Sequence, residues 1–219
     1  MQGSLECKGA RVINFSQFRS WQRMKPAILS GMAKFFPTLE PQHHRFIVAQ
    51  HMFFTASAAP TGHVNVSPRS TDMFRILGDN AAMYLDRTGS GNETAAHLGI
   101  DDRLTIMFCA VSGPPLIMRL FGKGRVIHRD SNEFASLLHE RFNGNAPLGA
   151  RQMIRLDFDL VQTSCGYGVP LFEYQEERPQ MDAWAKAKGV DGIDDYWREK
   201  NQVSLDGFPT GLFETPGER

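Results

Sequence analysis

Between residues 52 and 161 the chain reads as a series of short apolar runs parted by glycine-bearing turns, with two helical stretches among them. Residues 52–56 make an aromatic strand. The turn signal Ala59-Pro60-Thr61-Gly62 leads into His63-Val64-Asn65-Val66-Ser67, whose apolar–polar alternation completes a hairpin. Residues 73–77 and 81–85, separated by Gly78-Asp79-Asn80, make a second hairpin. Residues 103–110 read as a buried strand, and residues 116–128 as a long one in which Gly122 and Gly124 mark a bulge or a barrel corner. Residues 153–161 read as a half-buried strand with Ile154, Leu156, Phe158 and Leu160 on its apolar side. Without regular βαβ alternation, this pattern predicts a mainly β (α+β) chain, a small closed or split barrel of about six or seven strands with flanking helices.

A chain of 219 residues suits one domain, or one domain with a helical appendage, and 42% hydrophobic with 22% charged residues excludes disorder of the whole. Lys+Arg and Asp+Glu balance at 24 each, so net charge argues for neither nucleic acid nor an acidic membrane surface. Cys7, Cys109 and Cys165 are odd in number and lack metal spacing, which points to a reducing cytoplasm and against a disulfide framework or zinc. The longest apolar run, residues 104–111, falls far short of the roughly 20 a spanning helix needs. Residues 1–31 are basic and poor in acid, and are expected to be a disordered tail or the product of a start upstream of Met32, with a targeting peptide as the other reading. Residues 32–172 carry the barrel pattern. The tail, residues 173–219, reads as two charged helices over 180–189 and 191–200 whose Trp184, Tyr196 and Trp197 must bury against the barrel or a second subunit.

The stretch AAMYLDRTGSGNETAAHL, residues 81–98, runs from an apolar strand through a glycine-bearing loop into a helix. Ser90 and Glu93 have capping-box spacing. Such a helix start concentrates free N–H donors that favour a phosphate, although a capped surface helix without ligand fits the same residues. In the preceding hairpin Val64 and Val66 are expected to face the core, leaving Asn65 and Ser67 on the other face with His63, and Arg69 close by as a cation. Hydroxyls, a fixed charge and backbone N–H groups together are what a phosphate monoester needs. Arg119 is a further candidate donor.

Phe53–Thr55, Val64-Asn65-Val66-Ser67-Pro68-Arg69, Tyr84-Leu85-Asp86, Gly89-Ser90-Gly91-Asn92-Glu93-Thr94, Gly113-Pro114-Pro115 and Arg119-Leu120-Phe121-Gly122-Lys123-Gly124 follow one another in an order that resembles the pyridoxamine 5′-phosphate oxidase-related flavoproteins. Ser164-Cys165-Gly166-Tyr167-Gly168-Val169-Pro170 and Tyr196-Trp197-Arg198-Glu199-Lys200 extend the resemblance to about Lys200. The resemblance implies an FMN-binding split β-barrel working as a homodimer, with FMN at or near the interface. By position, Ser67, Arg69, Ser90, Gly91 and Asn92 would meet the phosphate. Asn65, Tyr84 and Asp86 would lie nearer the ribityl chain or ring, and Arg119 is the weakest carry-over. Many relatives read Ser-Pro-Lys-Gly where this chain has Ser67-Pro68-Arg69-Ser70; arginine keeps the charge and adds a fork suited to phosphate. True pyridoxamine phosphate oxidases carry a C-terminal arginine and histidine on the substrate phosphate. Here Trp197-Arg198-Glu199 is followed by no such histidine, which argues against vitamin B6 oxidation.

The implied function is an FMN-dependent oxidoreductase moving electrons or hydride between the flavin and a small organic substrate. The alternative is a non-catalytic flavin- or haem-binding protein on the same fold. No side chain is nominated as acid or base, and none of the seven histidines has metal spacing. His63 and His97 lie near the proposed site, although a solvent-facing strand residue and a helix-surface residue explain them as well; Cys109 reads as core, and Cys165 as either a structural or a reactive thiol. Charge reversal at Arg69 is expected to abolish FMN binding while the fold survives.

Overall fold

The structure, a computed structural model, describes residues 33–214; residues 1–31, for which a tail or an upstream start is expected, lie outside the described residues. Eight antiparallel strands form one sheet: β1 (Ala33–Phe36), β2 (Met52–Ser57), β3 (Asn65–Ser70), β4 (Phe74–Gly78), β5 (Ala81–Arg87), β6 (Arg103–Cys109), β7 (Ile117–His128) and β8 (Ala150–Ser164). The strand order is β3-β2-β6-β7-β8-β5-β4, with β1 also on β8. Four helices flank it: α1 (Pro41–Val48), α2 (Glu93–Leu98), α3 (Asn132–Phe142) and α4 (Gln180–Lys200). No helix among the described residues is long and apolar enough to cross a membrane.

The sheet curls into a half-barrel, and the aromatic core shows how far. Phe53 lies on β2 near one end of the strand order, whereas Phe74 and Tyr84 lie on β4 and β5 at the other, yet their ring centroids stand 5.0 and 5.4 Å from Phe53. Phe108 of β6 closes the group at 5.9 Å from Phe53. Strands that share no hydrogen bonds thus share a core, because alternate residues of each strand point inward and the twist brings the sheet ends together. The inward sets are Leu104, Ile106 and Phe108 on β6, Met118 and Leu120 on β7, and Ile154, Leu156 and Phe158 on β8.

At Gly122 the β7–β8 register shifts, so that Asp159 has no partner across the ladder. A Cβ added to Gly122 would lie 2.2 Å from the Asp157 carbonyl oxygen, a backbone approach that only glycine permits. The bulge reverses the alternation: Val161, not Leu160, is buried beyond it. Leu160 therefore departs from the expected apolar face, because one extra residue flips every side chain that follows.

Residues Ala82 to Asp86 of β5 are all buried, since the strand is covered on both faces. Tyr84 faces the barrel core, while Met83 and Leu85 pack with Phe134 and Phe142 of α3. Ser131 caps α3, its hydroxyl accepting from the Phe134 N–H at 3.1 Å.

Two further expectations are corrected at β3. Val64 and Val66 do not face the core, being 70% and 60% exposed, whereas Asn65 and Ser67 turn inward. β3 is the sheet's edge, and its polar face lines a cleft instead of closing the apolar core. Along α4, Gly189 (φ 67°, ψ 178°) breaks the helix into the two halves read from the sequence. Ala185, Ile193 and Trp197 bury with Leu212 against Trp184, Tyr196 and Phe213, and the Trp197 indole N–H donates to the Thr88 hydroxyl at 2.8 Å. The tail thus packs on the barrel of its own chain.

Candidate functional site

β2, β3, the end of β5, the loop from Arg87 to Asn92 and the segment from Phe172 to Asp182 enclose a cleft of about 1030 Å³. That is the upper end of the range for single-ligand pockets, about 300–1,000 Å³, and leaves room for a cofactor and a small second molecule. Asn65, Ser67, Arg69, Tyr84, Ser90, Gly91 and Asn92 all line it. Asp86 and Arg119 do not. Arg119 sits opposite Met107 on β7, where its guanidinium donates to the Ser164 hydroxyl at 3.4 Å.

Asp86 is 1% exposed and lies beneath the cleft, at the centre of a charged network. One oxygen accepts from Arg69 at 2.6 Å; the other accepts from Arg151 Nε at 2.8 Å and from Gln152 at 2.9 Å. Burial alone would raise its pKa, but Arg151 and Arg69 outweigh it and hold the carboxyl below the ordinary range. Two guanidiniums share this one carboxylate, so the three-residue network carries one excess positive charge, while the Glu93 carboxylate on the same lining carries a negative one. Arg69 also lies over the Tyr84 ring, 4.7 Å from its centroid.

The loop above this network is tied down through its carbonyls. Gly91 O accepts from Arg151 Nη1 at 2.9 Å and Gly89 O from the Asn201 side chain at 3.2 Å, while Asn92 Oδ1 accepts from Gln152 at 2.7 Å. None of the hydrogen bonds among the described residues uses the N–H groups of Ser90, Gly91 or Asn92. Four buried side-chain atoms of cleft-lining residues also lack a partner among the described residues: Tyr84 Oη, Arg69 Nε, Arg87 Nε and Asn92 Nδ2. Burial pushes the Tyr84 phenol up from its ordinary pKa, so it stays protonated as a donor.

The expected Ser90–Glu93 capping box is absent. Asn92 occupies the N-cap position of α2 without a side-chain cap, and the Glu93 carboxylate accepts instead from the Leu205 N–H, at 3.1 and 3.0 Å to its two oxygens. A tertiary partner has replaced the local one. His97 takes neither of its two readings: it is off the cleft lining and not on the helix surface, but buried with Nδ1 3.1 Å from the Ser57 hydroxyl, because α2 packs on β2. Cys109, expected in the core, belongs to the opposite alternation of β6 and lies half-buried on the cleft wall. Burial raises its pKa, with Arg119 opposing, so the thiol is protonated near neutrality. Cys165 is half-buried away from the cleft lining.

Motif spacing did not point to Arg151, Gln152 and Asn201, which brace the loop from β8 and the tail. Arg151 and Gln152 are adjacent polar residues that interrupt the apolar–polar alternation at the start of their strand, a weak signal of a buried network. The outer wall was also missed: His51 stacks on Tyr174 with centroids 3.7 Å apart and planes within 7°.

Comparisons with known proteins give the family. The family model for pyridoxamine 5′-phosphate oxidase matches residues 39–165. The pyridoxamine 5′-phosphate oxidase family protein ustO of Aspergillus flavus is 35% identical over 194 residues, covering 81% of this chain and 78% of that protein. The chain belongs to the pyridoxamine 5′-phosphate oxidase family. Among solved structures, a putative pyridoxamine 5′-phosphate oxidase from Lactobacillus delbrueckii aligns at 14% identity over 59% of this chain and 98% of its own, with a TM-score of 0.46. The haem storage protein HutZ of Vibrio cholerae aligns at 18% identity over 59% and 97%, with a TM-score of 0.42.

Proposed function

We propose that this protein binds FMN in the cleft and acts as an oxidoreductase on a small organic substrate. The observation that carries this reading is the inner wall, where uncommitted N–H groups of Ser90, Gly91 and Asn92 line the same cleft as Ser67 and the positively charged Arg69. A phosphate dianion matches such donors and the excess positive charge beneath them. The partnerless Tyr84 Oη, Arg69 Nε and Asn92 Nδ2 fit a polar ligand, because burying such atoms unpaired costs about 1–3 kcal/mol each. Asn65, Ser67, Arg69, Tyr84, Ser90, Gly91 and Asn92 would hold the cofactor, with Asp86 acting beneath them by keeping Arg69 and Arg151 in place.

Bound FMN supplies hydride or single-electron transfer. The chain's residues bind and orient: Tyr84 offers a proton at its phenol oxygen, and the protonated Cys109 thiol adds a neutral surface to the wall. The same reading carries a homodimer, in which a second chain would cover the exposed Val64 and Val66.

The test is the visible spectrum of the purified protein and of protein mixed with FMN. A flavin band retained through gel filtration, and lost in Arg69→Gln, is expected. Glutamine is preferred to charge reversal, because a glutamate at 69 would meet Asp86 and unsettle the fold as well. A colourless protein that leaves FMN fluorescence unquenched overturns the reading, and a Soret band would replace FMN by haem. Anaerobic bleaching of bound flavin by a reductant separates an enzyme from a storage protein.

A further inference from the structure

The tail reaches the cofactor loop at several points, and one contact has a directional consequence. Asn201 follows the last turn of α4 and is fully buried. Its Nδ2 donates to Gly89 O at 3.2 Å and its Oδ1 accepts from Arg151 Nη1 at 2.7 Å. Its own N–H donates to Trp197 O at 2.9 Å, and its carbonyl accepts from the Thr210 hydroxyl at 2.7 Å. All its polar groups are therefore engaged, and the side chain has no freedom to turn away. Trp197 holds the adjacent residue by donating to Thr88, whose hydroxyl in turn donates to Gly149 O at 2.8 Å.

A trans peptide is planar, with its C=O and the following N–H pointing in opposite directions. Gly89 O and the Ser90 N–H belong to one peptide unit, and Gly91 O and the Asn92 N–H to another. Pulling Gly89 O down onto Asn201 turns the Ser90 N–H away from the tail, and Arg151 does the same for Asn92 through Gly91 O. The donors on the inner wall are thus aimed by acceptors pinned beneath it.

We propose that Asn201, steadied by Trp197, is a positioning residue that presents the Ser90 N–H to a phosphate monoester, so that ligand phosphate and docked tail stabilise each other. This rests on the FMN reading and adds to it that the end of the tail, from Trp197 to Asn201, sets phosphate recognition and leaves ring binding alone. Because coupling is reciprocal, a ligand that uses the Ser90 N–H must tighten the tail as much as the tail tightens the ligand.

Riboflavin, which lacks the phosphate, separates the two halves of the site. Flavin fluorescence quenching should show Asn201→Ala binding FMN about tenfold more weakly than wild type, the loss of one well-aimed hydrogen bond to a charged group, with riboflavin affinity unchanged. Trp197→Phe keeps an aromatic ring in the tail cluster and removes the hydrogen bond to Thr88; a smaller loss, again confined to FMN, is expected. Equal weakening of both flavins, or of neither, in both variants overturns the proposal and leaves the FMN reading intact. In wild type, FMN should slow hydrogen exchange over residues 180–214 more than riboflavin does, a comparison that survives if the variants fold poorly. Equal protection by the two flavins also overturns the proposal. A wild-type protein that binds neither flavin overturns both it and the proposed function.

Discussion

The two walls of the cleft are built by opposite means. The inner wall, from Arg87 to Glu93, is a short irregular loop whose residues bond to four other parts of the chain: Gly149, the Arg151–Gln152 pair, the α4 end at Trp197 and Asn201, and Leu205. Arg87 adds an ion pair to Asp182. The outer wall, from Phe172, belongs to the stretch of residues 165–179, which has no regular element and exposes Leu171, Phe172 and Tyr174. Its ties are few: the Phe172 N–H to Val111 O at 2.8 Å and the stack of Tyr174 on His51. Dense buried bonding predicts a wall that opens only with global unfolding, and sparse exposed bonding one that opens locally. A site of this build can keep one ligand against a fixed surface while exchanging another through the loose side.

The contrast is broken most forcefully at Asp86. Replacement by alanine leaves Arg69 and Arg151 buried without their carboxylate, and a loss of about 3–5 kcal/mol is expected in urea unfolding. A loss under about 1 kcal/mol would mean that the inner wall is not held by this charge.

Acid removes the same charge more gently. The folded carboxyl titrates below its ordinary value near 4, so the unfolded chain takes up the proton first as pH falls. The stabilisation from Asp86 is therefore complete above about pH 4 and lost as pH drops through the lower folded value. The difference in urea midpoint between wild type and Asp86→Asn should hold steady from neutrality to that point and then shrink.

Thr88→Val keeps the shape of the side chain and strands the Trp197 N–H. A cost of about 1–3 kcal/mol, accompanied by faster exchange in α4, is expected by calorimetry and hydrogen exchange. Unchanged exchange would detach the tail from the inner wall.

The smallest effect belongs to the outer wall. Tyr174→Ala gives up one ring stack worth about 0.5–1.5 kcal/mol and should shift global stability by no more than that. Limited proteolysis within residues 165–179 should nevertheless accelerate. If Tyr174→Ala destabilised the protein as much as Thr88→Val, the two walls would be equally built in and the contrast would fail.

Much of this molecule is legible from its sequence, because strand periodicity and turn chemistry are local. The hairpins, the long β7 with its Gly122 irregularity and the helix break at Gly189 follow from residues within a few positions of one another. So does the ordered set of motifs that places the chain in its family, and seven of the nine nominated site residues do line one cleft. What the sequence could not decide is partnership between distant segments. Which alternation of β3 faces inward depended on a cleft lying beneath an edge strand, which is why Val64 and Val66 are outside. Glu93 has capping-box spacing from Ser90, but Leu205, far along the chain, offered a competing donor and won it. Asp86, which the resemblance puts near the ribityl chain or ring, turns out to lie beneath the cleft because β8 places Arg151 and Gln152 against it. Whether the tail serves the barrel was settled only by Trp197 and Asn201 finding Thr88 and Gly89. Local periodicity writes the elements into the chain. The choice of which polar groups satisfy one another once water is excluded belongs to the tertiary structure, since burial makes every unpaired donor costly and any donor that packing brings within reach can fill the role.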